Sequence, residues 1–143
     1  MHGDIIVLTK NEEEKCKFDE DEIFGLLQGF DIDYVREETE EDQQFAIEEF
    51  LEYLQKEWGF EVDFSNKSFT FDMDKFSSKT KNFYVLNGMT WFRKEMYRFP
   101  IVLMADAYKS AFSWIFQEAF YLEHFAKKKT ETIYVTKAFD FHY

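Results

Sequence analysis

Between Pro100 and Lys127 most residues are apolar. Read as one helix, the segment has a single narrow polar stripe: Asp106, Lys109, Ser110, Ser113, Gln117 and His124. A surface helix needs an apolar arc of only about 100°. Here the rest of the circumference carries Phe112, Trp114, Ile115, Phe116, Phe120, Tyr121 and Phe125, so several sides have to be covered. Pro100 can open such a helix, and Lys127, Lys128 and Lys129 suit its C-terminal dipole. Continuous, it would run ~42 Å. The cover is either a sheet of the same chain or the same helix of a second copy. The sheet is the favoured reading; a homodimer seam through the helix around 100–127 is the alternative.

The rest of the chain supplies strands for that sheet. Ile5–Ile6–Val7–Leu8–Thr9 is a continuous β-rich run, as expected of a buried strand. Asp19, with Glu22 three residues later, signals the start of a short helix ending near Gly29. Phe30, Ile32 and Tyr34 alternate with Asp31 and Asp33, which predicts a half-exposed strand. Thr39 can cap the clearest helix, with Ile47, Phe50, Leu51, Leu54 and Trp58 at helical spacing and Gly59 as its stop. Phe60, Val62 and Phe64, then Phe69, Phe71 and Met73, alternate around Ser65–Asn66–Lys67 as a hairpin would. Asn87–Gly88 has the positive-φ preference of a type I′ turn and predicts a second hairpin over 82–92, with a helix over the same stretch as the alternative. The terminal residues Ile133, Val135, Phe139, Phe141 and Tyr143 share odd register, predicting a long strand whose even, polar face meets solvent.

These elements predict one α+β domain over 1–143: an antiparallel sheet of roughly five to seven strands with two to three helices, the long C-terminal-half helix packed on it. One proline, five glycines and no repeat argue against a linker. The lone Cys16 excludes an intrachain disulfide, and there is neither a basic leader nor a membrane-length apolar run, so a cytoplasmic location is expected (host cytoplasm if the chain is phage-encoded).

Charge is distributed unevenly. Residues 1–74 hold 23 acids and 6 bases, whereas residues 75–143 hold 6 acids and 11 bases. The first half would repel phosphates, which argues against direct nucleic-acid binding. Two arrays stand out: Asp19, Glu20, Asp21 and Glu22, preceded by Glu12–Glu13–Glu14; and Glu37, Glu38, Glu40, Glu41 and Asp42, continued by Glu48, Glu49, Glu52 and Glu57. Acids in a first helical turn favour the helix dipole. That does not account for Glu48/Glu52, or for Glu37/Glu41 and Glu38/Asp42 if the helix starts early, because like charges at i,i+4 cost roughly 0.2–0.5 kcal/mol per pair. Departures from local stability rules without visible compensation concentrate where function sits.

Catalytic patterns are poorly met. Asp31–Ile32–Asp33 puts two carboxylates on one strand face, able to share a cation, and resembles the acid–apolar–acid strand that holds catalytic magnesium in nucleotidyltransferases. The upstream small-residue helix opening is missing, since Phe24–Gly25–Leu26 is too close and lacks a second small residue. Asp72–Met73–Asp74–Lys75 does not have nuclease spacing, and Asp74 reads as a turn or cap residue. His2, His124 and His142 have no ligand spacing with Cys16, whose neighbours Lys15 and Lys17 would favour a thiolate but bring no histidine. No phosphate loop, serine elbow or zinc pattern is present, so no catalytic residue, metal or cofactor is assigned.

The reading that follows is a non-enzymatic protein-binding module. Its acidic residues, Asp19 to Glu22, Glu37, Glu38, Glu40, Glu41, Asp42, Glu48, Glu49 and Glu52, would stand in for nucleic-acid phosphates in the basic groove of a nucleic-acid-handling protein. In size, acidity and lack of catalytic pattern the chain is similar to phage-encoded anti-restriction and anti-CRISPR proteins and to immunity proteins of nuclease toxins. The alternatives are a structural or regulatory homodimer whose acidity serves solubility, and a metal-dependent nucleotide-processing enzyme using Asp31 and Asp33. The first reading requires that the carboxylates crowd one region and are not neutralised by the bases of the second half.

Overall fold

The computed structural model describes residues 2–27, 32–81, 101–104 and 107–142. In chain order these form β1 (His2–Thr9), α1 (Glu20–Leu26), β2 (Tyr34–Glu37), α2 (Glu40–Trp58), β3 (Glu61–Asp63), β4 (Ser68–Asp72), α3 (Met73–Thr80), β5 (Ile101–Met104), β6 (Ala107–Ser110), α4 (Ala111–Tyr121) with a π-helical turn over Leu122–Ala126, and β7 (Thr130–His142). The strands make one seven-stranded, mostly antiparallel sheet in the order β3-β4-β7-β1-β5-β6, with β2 also on β7. The fold is α+β.

The thirteen-residue β7 is the spine. On one side it pairs β1 from Tyr134 to His142; on the other, its start pairs β4 and its end pairs β2. The gap between β4 and β2 is closed from outside the ladder. Val135 N–H donates to the Lys67 carbonyl at 2.7 Å, and Ala138 N–H donates to Gln43 Oε1 of α2 at 3.0 Å. Buried backbone donors need such partners, so Gln43 pins α2 to the sheet.

Side-chain alternation explains the continuous apolar run in β1. Ile6 and Leu8 join the core under α2 and α4, while Ile5 and Val7 join a second, smaller core under α1. Both sheet faces are covered there, and the parallel β1–β5 pairing is the arrangement expected of strands buried on both faces. The larger core is built from rings. Phe71 is fully buried and touches Phe60 at a centroid distance of 4.8 Å and Trp114 edge-on at 6.0 Å.

Local signals account for most helix ends. Asp19 accepts from Glu22 N–H, and Thr39 Oγ1 accepts from Asp42 N–H at 3.2 Å. Gly59 closes α2 in the left-handed region at φ 73°. Replacing Thr39 with alanine is expected to cost about 1 kcal/mol in denaturant unfolding, since it orphans that amide.

Four sequence expectations are corrected. The helix expected from Pro100 begins instead at Ala111, capped by Ser110, whose Oγ accepts from Ser113 N–H at 3.2 Å. Ile101–Met104 and Ala107–Ser110 are paired strands, because an apolar run buried on both faces reads the same as a buried helix until its neighbours are known. The strand expected to begin at Phe30 is β2, starting at Tyr34. Residues 73–80, beginning with the expected last strand residue Met73, form α3, since Asp72 Oδ1 caps the Asp74 and Lys75 amides. Finally, β7 does not keep one odd-numbered apolar face. Val7 pairs Lys137 while Leu8 pairs Val135, so Thr136 is an extra bulged residue. Beyond it the faces exchange: Ile133 and Val135 lie in the larger core with Ala138, Phe139 and Phe141 in the smaller one, and Asp140 is buried. The hairpin expected over 82–92, like Gly29, Phe30, Asp31, Pro100, Asp106 and Tyr143, lies outside the described residues.

Candidate functional site

Helix α2 divides by helical period into an apolar and an acidic half. Ala46, Ile47, Phe50, Leu51, Leu54 and Trp58 are buried against the sheet. Glu41, Asp42, Glu48, Glu49 and Glu52 are exposed on the opposite side, and Glu40 is exposed at the helix start, in line with Ile47 and Trp58. At the centre of that side stands Phe45, 68% exposed, with Glu41, Asp42, Glu48 and Glu49 as its neighbours one turn before and after. A large apolar ring held in water among carboxylates contributes little to folding. It is the kind of side chain that anchors interfaces.

The two acidic arrays converge at one end of this helix. Glu37 N–H donates to a carboxylate oxygen of Glu20, which places the start of α1 beside the end of β2, one residue pair before α2 begins. Asp19, Asp21 and Glu22 are exposed there as well.

Among the described residues, bases of the second half neutralise part of the second array: Lys137 pairs Glu37 and Lys79 pairs Glu57, while Lys129 pairs Asp74 outside it. Within α2, Lys56 reaches Glu52 at 3.8 Å. Among the described residues no ion pair engages Glu40, Glu41, Asp42, Glu48 or Glu49; Glu48 accepts only from Gln44 Nε2 at 2.8 Å. Because α2 begins at Glu40, Glu37/Glu41 and Glu38/Asp42 are not intrahelical pairs, and Glu48/Glu52 remains as the repulsive one.

Glu38 belongs to a different, inward-facing group. It is half-buried against Asp4, with Asp140, Asp42 and Glu49 contributing to the surrounding negative field. Burial first, then the Asp4 charge, pushes its carboxyl up to about 7, and burial also raises Asp4. The two carboxyls oppose each other's ionisation. Asp140, opposite Asp4 in the ladder, is held by Arg36 Nε at 3.0 Å and by His2 Nδ1 at 3.2 Å. Glu38 is therefore a structural member of this end of the sheet and not part of the outer acidic face.

Asp33 sits at the edge, bonded to His142 Nδ1 at 2.7 Å, while Asp31 lies outside the described residues. Among the described residues, no group of three His, Cys, Asp or Glu side chains is placed to hold a metal ion. No described helix is long and apolar enough to cross a membrane.

A second charged group joins the residue after β1 to α4 and β7. Lys10 Nζ lies 2.7 Å from Glu118 and 3.0 Å from Glu131, and 4.0 Å above the Tyr121 ring. Glu118 is only 5% exposed; burial and the adjoining Glu131 push its carboxyl up to about 7, against the pull of Lys10. This triad ties together three elements at the base of α4.

No protein-family model matches the chain, and no curated protein or solved structure matches it.

Sequence reasoning missed Phe45, although the signal was legible: it is the apolar residue that falls on the polar half of the α2 wheel. The inward turn of Glu38 had no such signal, because it depends on the meeting of β1, β2 and β7.

Proposed function

We propose that the protein is a binding module whose acidic α2 face, with Phe45 at its centre, occupies a basic groove of a nucleic-acid-handling protein. The observation that carries this reading is the run of exposed carboxylates around an exposed phenylalanine, of which Glu41, Asp42, Glu48 and Glu49 have no pairing lysine or arginine among the described residues. Glu40, Glu41, Asp42, Glu48, Glu49 and Glu52 stand in for phosphates, and Asp19 to Glu22 extend the charge around the helix start. Like-charged residues on one surface draw a basic partner by long-range steering, while the ring supplies contact energy that charge in water does not. The partner is a protein of the kind blocked by anti-restriction, anti-CRISPR or nuclease-immunity proteins, and the role is inhibitory and not catalytic, in the cytoplasm where such partners act.

Low-salt capture on the immobilised chain tests this. Basic nucleic-acid-binding proteins are expected to be retained, released by added duplex DNA, and lost when Glu48, Glu49 and Glu52 are all changed to lysine. These side chains are exposed, so the variant is expected to keep the parent's circular dichroism spectrum. Equal retention by parent and variant would remove α2 as the contact.

A second reading, the homodimer, is favoured by one observation. The end of α4 and its π turn leave Phe120, Tyr121 and Phe125 exposed, Phe125 at 69%, with ring contacts among themselves. If two copies meet there, Phe125→Glu converts a dimer into a monomer by light scattering. A parent already monomeric at high concentration rules the seam out.

A further inference from the structure

A cavity of about 470 Å³ opens where the C-terminal end of β1 meets the β7 bulge and the loop over residues 10–18. The apolar residues of its lining come from both sides of β1: Val7 and Phe18 from the side of the smaller core, with the Cys16 thiol bonded to the Phe18 carbonyl, and Leu8 and Met104 from the side of the larger one. The β7 bulge lies beside it: Thr136 donates its hydroxyl to the Val7 carbonyl at 3.2 Å. The first part of the loop is bonded to itself: Thr9 Oγ1 donates to Glu14 at 2.7 Å, Asn11 Oδ1 accepts from Glu13 N–H, and the Asn11 carbonyl accepts from Glu14 N–H.

The mouth differs in charge from the rest of this acidic half. Lys10, Lys15 and Lys17 line it with one acid, Glu14. Lys10 is held by Glu118 and Glu131, and Glu14 by Thr9 and by Lys17 at 3.6 Å. Lys15 is exposed and carries no ion pair among the described residues. An apolar space of this size with a few convergent polar groups has the character of a small-molecule site. Here the complement of its surface is an apolar body with one negative end.

We propose that this cavity binds a small amphipathic carboxylate, its hydrocarbon against Val7 and Phe18 on the Cys16 side of β1 and its acid group at Lys15 and Lys17. None of the lining residues belongs to α2, so the site is separate from the proposed protein-binding face and stands or falls without it.

Cys16, the only cysteine, reports from the cavity wall. Burial raises its thiol, so its reaction with a neutral aromatic disulfide is followed at mildly alkaline pH. Octanoate is the probe and octanol its uncharged counterpart. Octanoate is expected to slow Cys16 modification saturably and with a midpoint about tenfold lower than octanol, a difference of about 1.4 kcal/mol. In the double variant K15E/K17E, which alters two exposed side chains, the octanoate midpoint is expected to rise by about tenfold while that of octanol stays in place. Absence of saturable protection by either molecule would overturn the proposal. So would equal protection by both molecules in parent and double variant alike, which would leave an apolar crevice with no selectivity for an acid.

Discussion

Phe71→Ala is expected to lower the unfolding free energy by about 3–5 kcal/mol, the range for emptying a buried aromatic site. A domain of this size has only about 5–15 kcal/mol to lose, so the variant should unfold at far lower denaturant or fail to fold at physiological temperature. Phe71 is fully buried in β4, and its ring joins the hairpin to α3 through Phe76 and to α4 through Trp114. No single neighbour can move into the space without breaking its own contacts. Phe120→Ala is the control: that ring is largely in water, and its removal should change stability by about 0.5 kcal/mol or less. Similar losses for the two variants would contradict the placement of the core.

The second large effect is on pH. Glu118 has an ordinary value of 4.5 and is pushed up to about 7 in the folded chain. The folded state therefore holds a proton that the unfolded chain releases at lower pH. The resulting stabilisation is whole below pH 4.5, declines between the two values and is gone above about 7. Glu38, also pushed up to about 7, and Asp4 beside it act in the same direction. Glu131 and Glu14 are lowered and act oppositely, their contribution disappearing as pH falls into the acid range. Stability should thus be greatest at mildly acidic pH and fall by roughly 1–3 kcal/mol on passing to mildly alkaline pH. Glu118→Gln keeps the shape and the neutral state, so the variant should lose the Glu118 share of the decline over the same interval in urea titrations and keep the share of Glu38 and Asp4. Lys10 and Glu131 then remain as a simple pair. A parent whose stability is constant or rises from pH 5 to about 8 would contradict this account of the triad.

The elements with local punctuation were readable from the residues. Thr39 and Gly59 bracket α2 because a hydroxyl cap and a left-handed glycine act within a few residues of themselves. The β3–β4 hairpin follows from alternation around a short turn. What stayed hidden depends on distant partners. Ile101–Met104 is a strand because β1 lies beside it, a neighbour almost a hundred residues away. Thr136 bulges because β1 and β7 fall out of step there, and that one residue sends Phe139 and Phe141 to the opposite face from Val135. The same limit applied to the candidate site. The exposed acids of α2 were legible from helical period, whereas the burial of Glu38 against Asp4 requires two segments that meet only in the folded sheet.

The most direct test of the acidic face is the salt dependence of its affinity for a captured basic partner, measured for the parent and for the Glu48, Glu49 and Glu52 triple lysine variant. Exposed charges are screened over about 10 Å at 0.1 M salt, so the parent's affinity is expected to fall steeply with ionic strength. The triple variant should bind weakly throughout with a much shallower dependence, and Phe45→Ala should weaken binding without changing the slope. A parent affinity indifferent to salt, or a triple variant with the parent's slope, would show that these carboxylates do not make the contact.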